Sequence, residues 1–454
     1  MAQNSNQQKN SAIVNSNKNA TIINDRIATT TQYIFSPPKE LGQKPDEFAT
    51  NSIKNYDTAQ LKSQRLSVII IVMEAKIEKL VPGGQGIATL EDGKKAFIWN
   101  ALPGETVIFD ITKNKKSYCE GVATKIIEAS PLRITPKDDC YLATSPWQII
   151  DFTEELKQKQ LIVEECFRQQ HIANEVLPTI TDHKDFFYRN KMEYSLYWNN
   201  DDNKIHLAFH HRGTHRKVQI DHSSIERPEI FAEAQKIIDK LNAKHAEARA
   251  YQSLLVRCSQ SGTVSSALFE NGKAHPVMTP LIDKLNNYEY SYSPNGFFQI
   301  NLPVYEMVLQ EIANYIETDK VLDLYAGVGS IGLSVAQGKD LTLVEINGAA
   351  FAEMQNNAKN TNAKCILAKS EEVTDYITPD CTVILDPPRA GCDQKLIDTL
   401  NTVIPSSIIY LSCNPITQAR DIELLTNYKI QKLQPYNFFP RTPHIENLAI
   451  LKRA

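Results

Sequence analysis

Cys413 closes the apolar run SSIIYLSCNP, downstream of ILDPPRAG with Asp386 and upstream of FFPRTPHIEN with Glu446. A thiol and two carboxyls at predicted strand ends fit methylation of a pyrimidine ring carbon. Uracil C5 is a poor nucleophile. A thiolate that adds to C6 drives negative charge onto O4 and C5, dividing one hard step into easier ones. The C5 proton must then leave before the thiol is expelled, so a base is required. Glu446 is the best-placed candidate, because Phe438, Phe439, Pro443 and Ile445 beside it would raise its pKa by desolvation. Asp386 is held at the pocket rim by the fixed backbones of Pro387 and Pro388. Each residue also has a plain reading: cysteine is a common packing residue, Asp often caps a turn, and Glu446 alone could be a surface carboxylate. Cys365, Cys381 and Cys392 have no comparable setting and read as packing or incidental thiols.

The elements that must position these groups are legible as runs. VLDLYA, LTLVEIN, KCILA, CTVILDPP and SSIIYLSC alternate with helical stretches such as FAEMQNNAKN and PITQARDIELLTN, which predicts a parallel, helix-covered sheet. KIQKLQPYNFF and ENLAILKR then follow as a terminal β-hairpin. Ligands of such sheets sit beyond the carboxyl ends of the strands. Gly327, Gly329 and Gly332 form a G-x-G-x-x-G turn, and Asp323 and Glu345 are placed to accept hydrogen bonds from ribose hydroxyls. NAD and S-adenosylmethionine both offer those hydroxyls. Hydride transfer has no use for the DPPR and SCNP runs, so the balance falls to the methyl donor.

Upstream, residues 1–65 are rich in Asn, Gln, Ser, Thr and Lys without a sustained period and read as a disordered tail. Residues 66–131 hold five short strand-like runs with glycine turns, which suit a small oligonucleotide-binding barrel; Lys113, Lys115 and Lys116 could contact phosphates there. Residues 132–287 mix a helix over 152–170, strand-like runs and a helix over 228–241. Tyr188, Arg189, Lys191, His210, His211, Arg212, His215, Arg216 and Lys217 concentrate cationic and ring groups suited to single-stranded RNA, although a polar sheet face reads equally well. Arg389 joins the candidate RNA contacts. The histidines are too irregularly spaced for a metal site. Eight cysteines without a C-x-x-C pair suit a reducing, cytoplasmic setting, no stretch reaches the length of a membrane helix, and a net charge of −4 leaves any nucleic acid to local patches.

ILDPPRAG, IIYLSCNP and FFPRTPHIEN together make the chain resemble the RNA uracil-5 methyltransferase family, which forms 5-methyluridine in ribosomal and transfer RNA, over roughly residues 66–454. The resemblance implies an α/β fold: a class I S-adenosylmethionine-dependent methyltransferase domain over 288–454, a TRAM barrel over 66–131 and a central α/β RNA-binding region over 132–287. It makes Cys413 the nucleophile, Glu446 the proton acceptor and Asp386 a pocket carboxylate touching uracil or cofactor. Gln299 in FFQIN, Tyr325, Gly327, Gly329, Ser330, Glu345 and Ser370 become cofactor positions. The TRAM module points to 23S ribosomal RNA as the substrate, with the target base flipped from its stack and transfer RNA as the alternative; the oligomeric state stays open, with a monomer favoured. Where many ribosomal members carry cluster-binding cysteines only Cys140 stands, so no iron–sulfur cluster is expected. A cytosine-5 enzyme would carry a cysteine where Arg389 follows Pro388. An NAD-dependent oxidoreductase and a non-catalytic RNA-binding protein remain the readings from other classes.

Overall fold

A computed structural model describes residues 72–213 and 216–454. The tail assigned to residues 1–65 lies outside the described residues. The barrel strands are β1 (Val72–Lys76), β2 (Lys79–Leu80), β3 (Gly86–Thr89), β4 (Lys95–Trp99), β5 (Thr106–Asn114) and β6 (Tyr118–Glu128), in the order β1-β5-β6-β4-β3-β2. Of the first expected strand, residues 72–76 form β1, and after a bend at Ile77 and Glu78 the chain continues into β2. At the bend Ile77 N–H donates to Glu105 O and Glu78 N–H to Ile87 O, both at 2.8 Å, which stitches the two sheet edges into a ring. Alternate residues such as Val107, Phe109, Ala96 and Ile98 fill the interior, as the period of two requires.

A second, antiparallel sheet has the order β12-β11-β10-β7-β8-β9, from β7 (Lys191–Asn199), β8 (Lys204–His210), β9 (Lys217–Gln219), β10 (Ser253–Cys258), β11 (Val264–Glu270) and β12 (Lys273–His275). The helix Pro228–Ala243 lies on it through Ile230, Ala234, Ile238 and Leu241, a spacing that forms one apolar stripe. The helix Phe152–Gln169, started by Asp151 accepting from the N–H of Thr153 and Glu154, packs elsewhere. Its Ile162, Val163, Cys166 and Phe167 join the core of the C-terminal sheet. The sequence reading grouped this helix with the central region, because an apolar stripe does not name its partner. The hairpin of β13 (Leu281–Leu285) and β14 (Tyr288–Tyr292) likewise joins the C-terminal core, around the helix Leu302–Ala313.

The C-terminal sheet runs β17-β16-β15-β18-β19-β21-β20, from β15 (Lys320–Leu324), β16 (Asp340–Glu345), β17 (Lys364–Leu367), β18 (Cys381–Leu385), β19 (Ser407–Ser412), β20 (Tyr428–Tyr436) and β21 (Glu446–Arg453). The first five are parallel, and β21 inserts antiparallel between β19 and β20. All five residues of β18 and all six of β19 are buried, as expected for strands covered on both faces. The order reverses between β15 and β18, opening a crevice at their carboxyl ends. Among the described residues no helix is long and apolar enough to cross a membrane.

Candidate active site

The glycine turn follows β15. Tyr325, Gly327 and Gly329 have φ of 64°, 58° and 85°, and the chain reverses into the short helix Ser330–Val335. A Cβ on Gly327 would meet nothing within 4 Å, so the turn presents bare backbone to open space. Behind it a Cβ on Gly332 would lie 2.6 Å from Leu343 and 2.8 Å from Asp323 Oδ2. Gly332 therefore lets the helix press on the sheet.

Asp323 departs from its expected role. It is fully buried, its Oδ2 accepts from Gly332 N–H at 2.8 Å, and it lies beneath the turn rather than facing a ribose. Its Oδ1 has no partner. Burial, with Asp386 and Glu345 nearby, pushes the carboxyl up to about 8 against the Gly332 hydrogen bond. Glu345 ends β16 and accepts from Gly327 N–H at 2.8 Å and Asn347 N–H at 2.6 Å. Both carboxyl oxygens keep lone pairs for a hydroxyl. Tyr325 hydrogen-bonds the side chain of Ser370, Ser330 Oγ lies 2.8 Å from the Tyr305 hydroxyl, and Gln299 is buried in its loop. That loop is gripped from β10: the buried Arg257 guanidinium donates to Gly296 O at 3.2 Å and Phe298 O at 2.6 Å, with Pro294 O and Gln299 O near the limit at 3.5 and 3.4 Å.

The reactive corner is built by strand register. β19 and β21 pair until Ser412 faces Asn447; continued by one residue, that register brings Cys413 level with Glu446. Asp386 follows the last residue of the neighbouring β18. Asn414 caps the helix Pro415–Leu424 by accepting from Ile416 N–H, and its Nδ2 donates to Arg389 O at 2.8 Å, so the SCNP and DPPR runs are tied together. Burial, then Glu446 and Asp386, push the Cys413 thiol up to about 11, while a hydrogen bond and the charge of Arg389 draw it down. The Glu446 carboxyl is raised well above the usual range by burial and by Asp386, again opposed by Arg389. Burial pushes Asp386 up to about 7. Arg389, which the sequence placed among RNA contacts, thus acts on the thiol and the carboxyl, with His444 Nδ1 at 3.2 Å from its guanidinium.

Other expected RNA contacts divide. Lys115 and Lys116 are exposed at the β5–β6 tip, and Lys113 there is paired with Glu120 at 2.6 Å. Arg189 Nε donates to Lys191 O at 2.9 Å. Lys191 and Arg212 have partners within the protein: Lys191 Nζ donates to Asn295 O and Gly296 O, its pKa lowered to about 8 by burial, and Arg212 donates to Leu142 O while lying over the Trp99 ring at 4.4 Å. Tyr188 is buried, and its hydroxyl donates to Pro440 O at 2.9 Å. Each of these heads holds protein to protein. Cys140 is half-buried with its Sγ 3.3 Å from His222 O. Among the described residues no three His, Cys, Asp or Glu side chains gather as a metal site. Sequence reasoning missed Arg257, whose signal is a charge within the apolar run SLLVRC, and the buried Glu155–Lys159 pair, which the polar run TEELKQKQ does not mark.

A nucleotide-binding glycine turn, a thiol facing a carboxyl and a small barrel ahead of them define a methyltransferase that acts on RNA. Residues 277–454 match the family described as tRNA (Uracil-5-)-methyltransferase, and residues 71–124 match the TRAM domain. RNA methyltransferases of Enterococcus faecalis and Lactiplantibacillus plantarum are each 29% identical, over 84% of this chain and 97% of theirs. In fold, the chain is similar to the Pyrococcus abyssi tRNA (uracil-54, C5)-methyltransferase, solved in complex with S-adenosyl-L-homocysteine. That likeness has a TM-score of 0.67 and 24% identity, over 84% of this chain and all of that one. Residues 277–454 thus group with the uracil-5 RNA methyltransferases, and a TRAM domain precedes them.

Proposed function

We propose that this enzyme methylates C5 of a uridine in 23S ribosomal RNA, with Cys413 as nucleophile, Glu446 as base and Asp386 as the carboxyl that orients the uracil. The observation that carries it is the register that brings Cys413 level with Glu446, with Asp386 at the end of the adjacent strand. A thiol and a base facing one ring from two strands can address C6 and C5 together.

The residues fit S-adenosyl-L-methionine. Asp323, Asp386 and Glu446 are buried carboxyls with raised proton affinity, and Asp323 Oδ1 is an orphaned acceptor. A cation entering such a site would draw these acids toward their ionised form, which suits a sulfonium better than the pyrophosphate of NAD. Gln299, Tyr325, Gly327, Gly329, Ser330, Glu345 and Ser370 would hold the cofactor. It would supply an electrophilic methyl, its sulfonium sulfur keeping the S–CH3 bond pair and leaving as a neutral thioether.

Arg389 favours the thiolate of Cys413, whose Sγ forms a bond to C6 as the C5–C6 π electrons move toward O4. C5 gains electron density and takes the methyl. Glu446 then removes the C5 proton, the electron pair restores the C5–C6 double bond, and the C6–Sγ bond breaks to return the thiolate. The TRAM domain supports ribosomal RNA as substrate; a transfer-RNA uridine is the second reading, favoured by the family's description. Mass mapping of methylated uridines in both RNA classes from cells lacking the gene separates them: loss of one 23S site is expected, loss of a tRNA site moves the assignment, and an unchanged map defeats it. RNA carrying 5-fluorouridine is expected to be trapped on the protein, since fluorine cannot leave as a proton, and Cys413→Ala to abolish the adduct.

A further inference from the structure

The stretch from Asn437 to Ile445 joins the last two strands and delivers Glu446, and many of its restraints come from outside the C-terminal sheet. Arg441 N–H lies 3.0 Å from both oxygens of Glu155. Lys159 Nζ, fully buried and paired with Glu155 at 3.0 Å, donates to Asn437 Oδ1 at 2.6 Å and Phe439 O at 3.1 Å. Asn301 Nδ2 donates to Phe438 O at 3.2 Å.

A further restraint comes from the barrel. Gly84, in the turn between β2 and β3, has φ of 95°, and a Cβ there would lie 2.2 Å from Pro443 Cβ. No side chain fits that approach. Trp147, 2% exposed, donates from Nε1 to Gly84 O and from its backbone N–H to Arg441 O, both at 3.0 Å. One buried residue thus ties the barrel turn to the stretch that carries the base. Leu80 and Leu102 of the barrel share a single buried cluster with Trp147 and with Ile445, the neighbour of Glu446.

We propose that the Gly83–Gly84 turn of the barrel is a positioning element for the Glu446 carboxyl, so that seating of the barrel governs proton removal from C5 separately from any contact the barrel makes with RNA. This rests on Glu446 being the base. Pro443 stands three residues before Glu446, so a displaced barrel turn moves the carboxyl relative to C5. In the step concerned the C5–H bond breaks, the proton passes to a Glu446 oxygen, the pair re-forms the C5–C6 double bond, and Cys413 leaves C6.

Gly84→Ala and Trp147→Phe test this in the full chain, with total RNA from cells lacking the gene, tritiated at uridine C5. The expected result is a fall in tritium release at saturating RNA of roughly 10- to 100-fold, the scale of a misplacement near 1 Å. More enzyme should be held covalently on RNA, with half-saturation by RNA no higher than the parent's. Raised half-saturation with normal release at saturation, or parental behaviour of both variants, overturns the proposal. Thermal melting checks folding; if Gly84→Ala fails to fold, Trp147→Phe, which keeps an aromatic ring and loses the Nε1 donor, decides. Glu446→Gln runs alongside. If it does not accumulate the adduct, the base assignment fails; if it does and the barrel variants do not, the barrel proposal alone fails.

Discussion

Replacing Asp323 by Asn separates what the buried carboxyl costs the fold from what it does for the ligand. In the unfolded chain this carboxyl ionises near 3.8, and in the folded protein it holds its proton to about 8. Between those values the folded state binds more protons than the unfolded one, so stability falls as pH rises through that window. Each pH unit is worth about 1.4 kcal/mol, which makes the span from pH 5 to pH 8 about 4 kcal/mol. Relaxation and water penetration bring the expected effect to about 2–3 kcal/mol. Asn has no proton to lose, and its oxygen can still accept from Gly332 N–H. Its amide lies where Oδ1 has no partner, a fixed cost of about 1 kcal/mol at every pH. Urea unfolding of cofactor-free protein, followed by tryptophan fluorescence, should therefore place the variant within about 1 kcal/mol of the parent at pH 5 and about 2 kcal/mol above it at pH 8. The same variant should bind S-adenosylmethionine about as well as the parent below pH 8, where Asp323 keeps its proton, and more weakly than the parent above it. A stability difference that does not change with pH, or a less stable variant at pH 8, would refute the reasoning.

Glu446→Gln should lower product formation by roughly 100-fold or more, within the range for loss of a general base, while covalent enzyme–RNA complex builds up on natural RNA; a denaturing gel that shows no such complex removes the base assignment. Initial rates should climb with pH through neutrality, because Asp386 is pushed up to about 7, Glu446 is raised and the Cys413 thiol is pushed up to about 11. Arg389→Ala should shift that climb to higher pH, since the guanidinium draws down both Cys413 and Glu446, and an unshifted profile would show that it does not act on them. Arg257→Met should lower stability by about 2–4 kcal/mol, leaving buried carbonyls unpaired, and weaken cofactor binding by loosening the loop with Gln299. Thermal unfolding and titration calorimetry check both.

The C-terminal sheet was readable because its strands are short apolar runs separated by amphipathic stretches, and each chemical motif sits at a strand end. Cys413, Asp386 and Glu446 lie near one another at the ends of neighbouring strands. What sequence could not supply were partners. The stripe on Phe152–Gln169 declares a buried face without saying which sheet receives it. Arg389, Lys191 and Arg212 look alike as cations, yet one reaches the nucleophile and two hold protein loops. Asp323 reads as a ribose acceptor because its depth beneath the glycine turn depends on Gly332 packing against Leu343, a contact between elements.

Because β21 runs antiparallel to β19, the thiol and the base owe their meeting to an alignment of two strands rather than to either residue alone. Side chains alternate faces along a strand, so deleting a single residue inside Glu446–Arg453 could leave hydrophobic pairing partly intact while turning the carboxyl to the opposite side. Natural variation in this protein should then tolerate substitutions along the final strand far more readily than any change in its length.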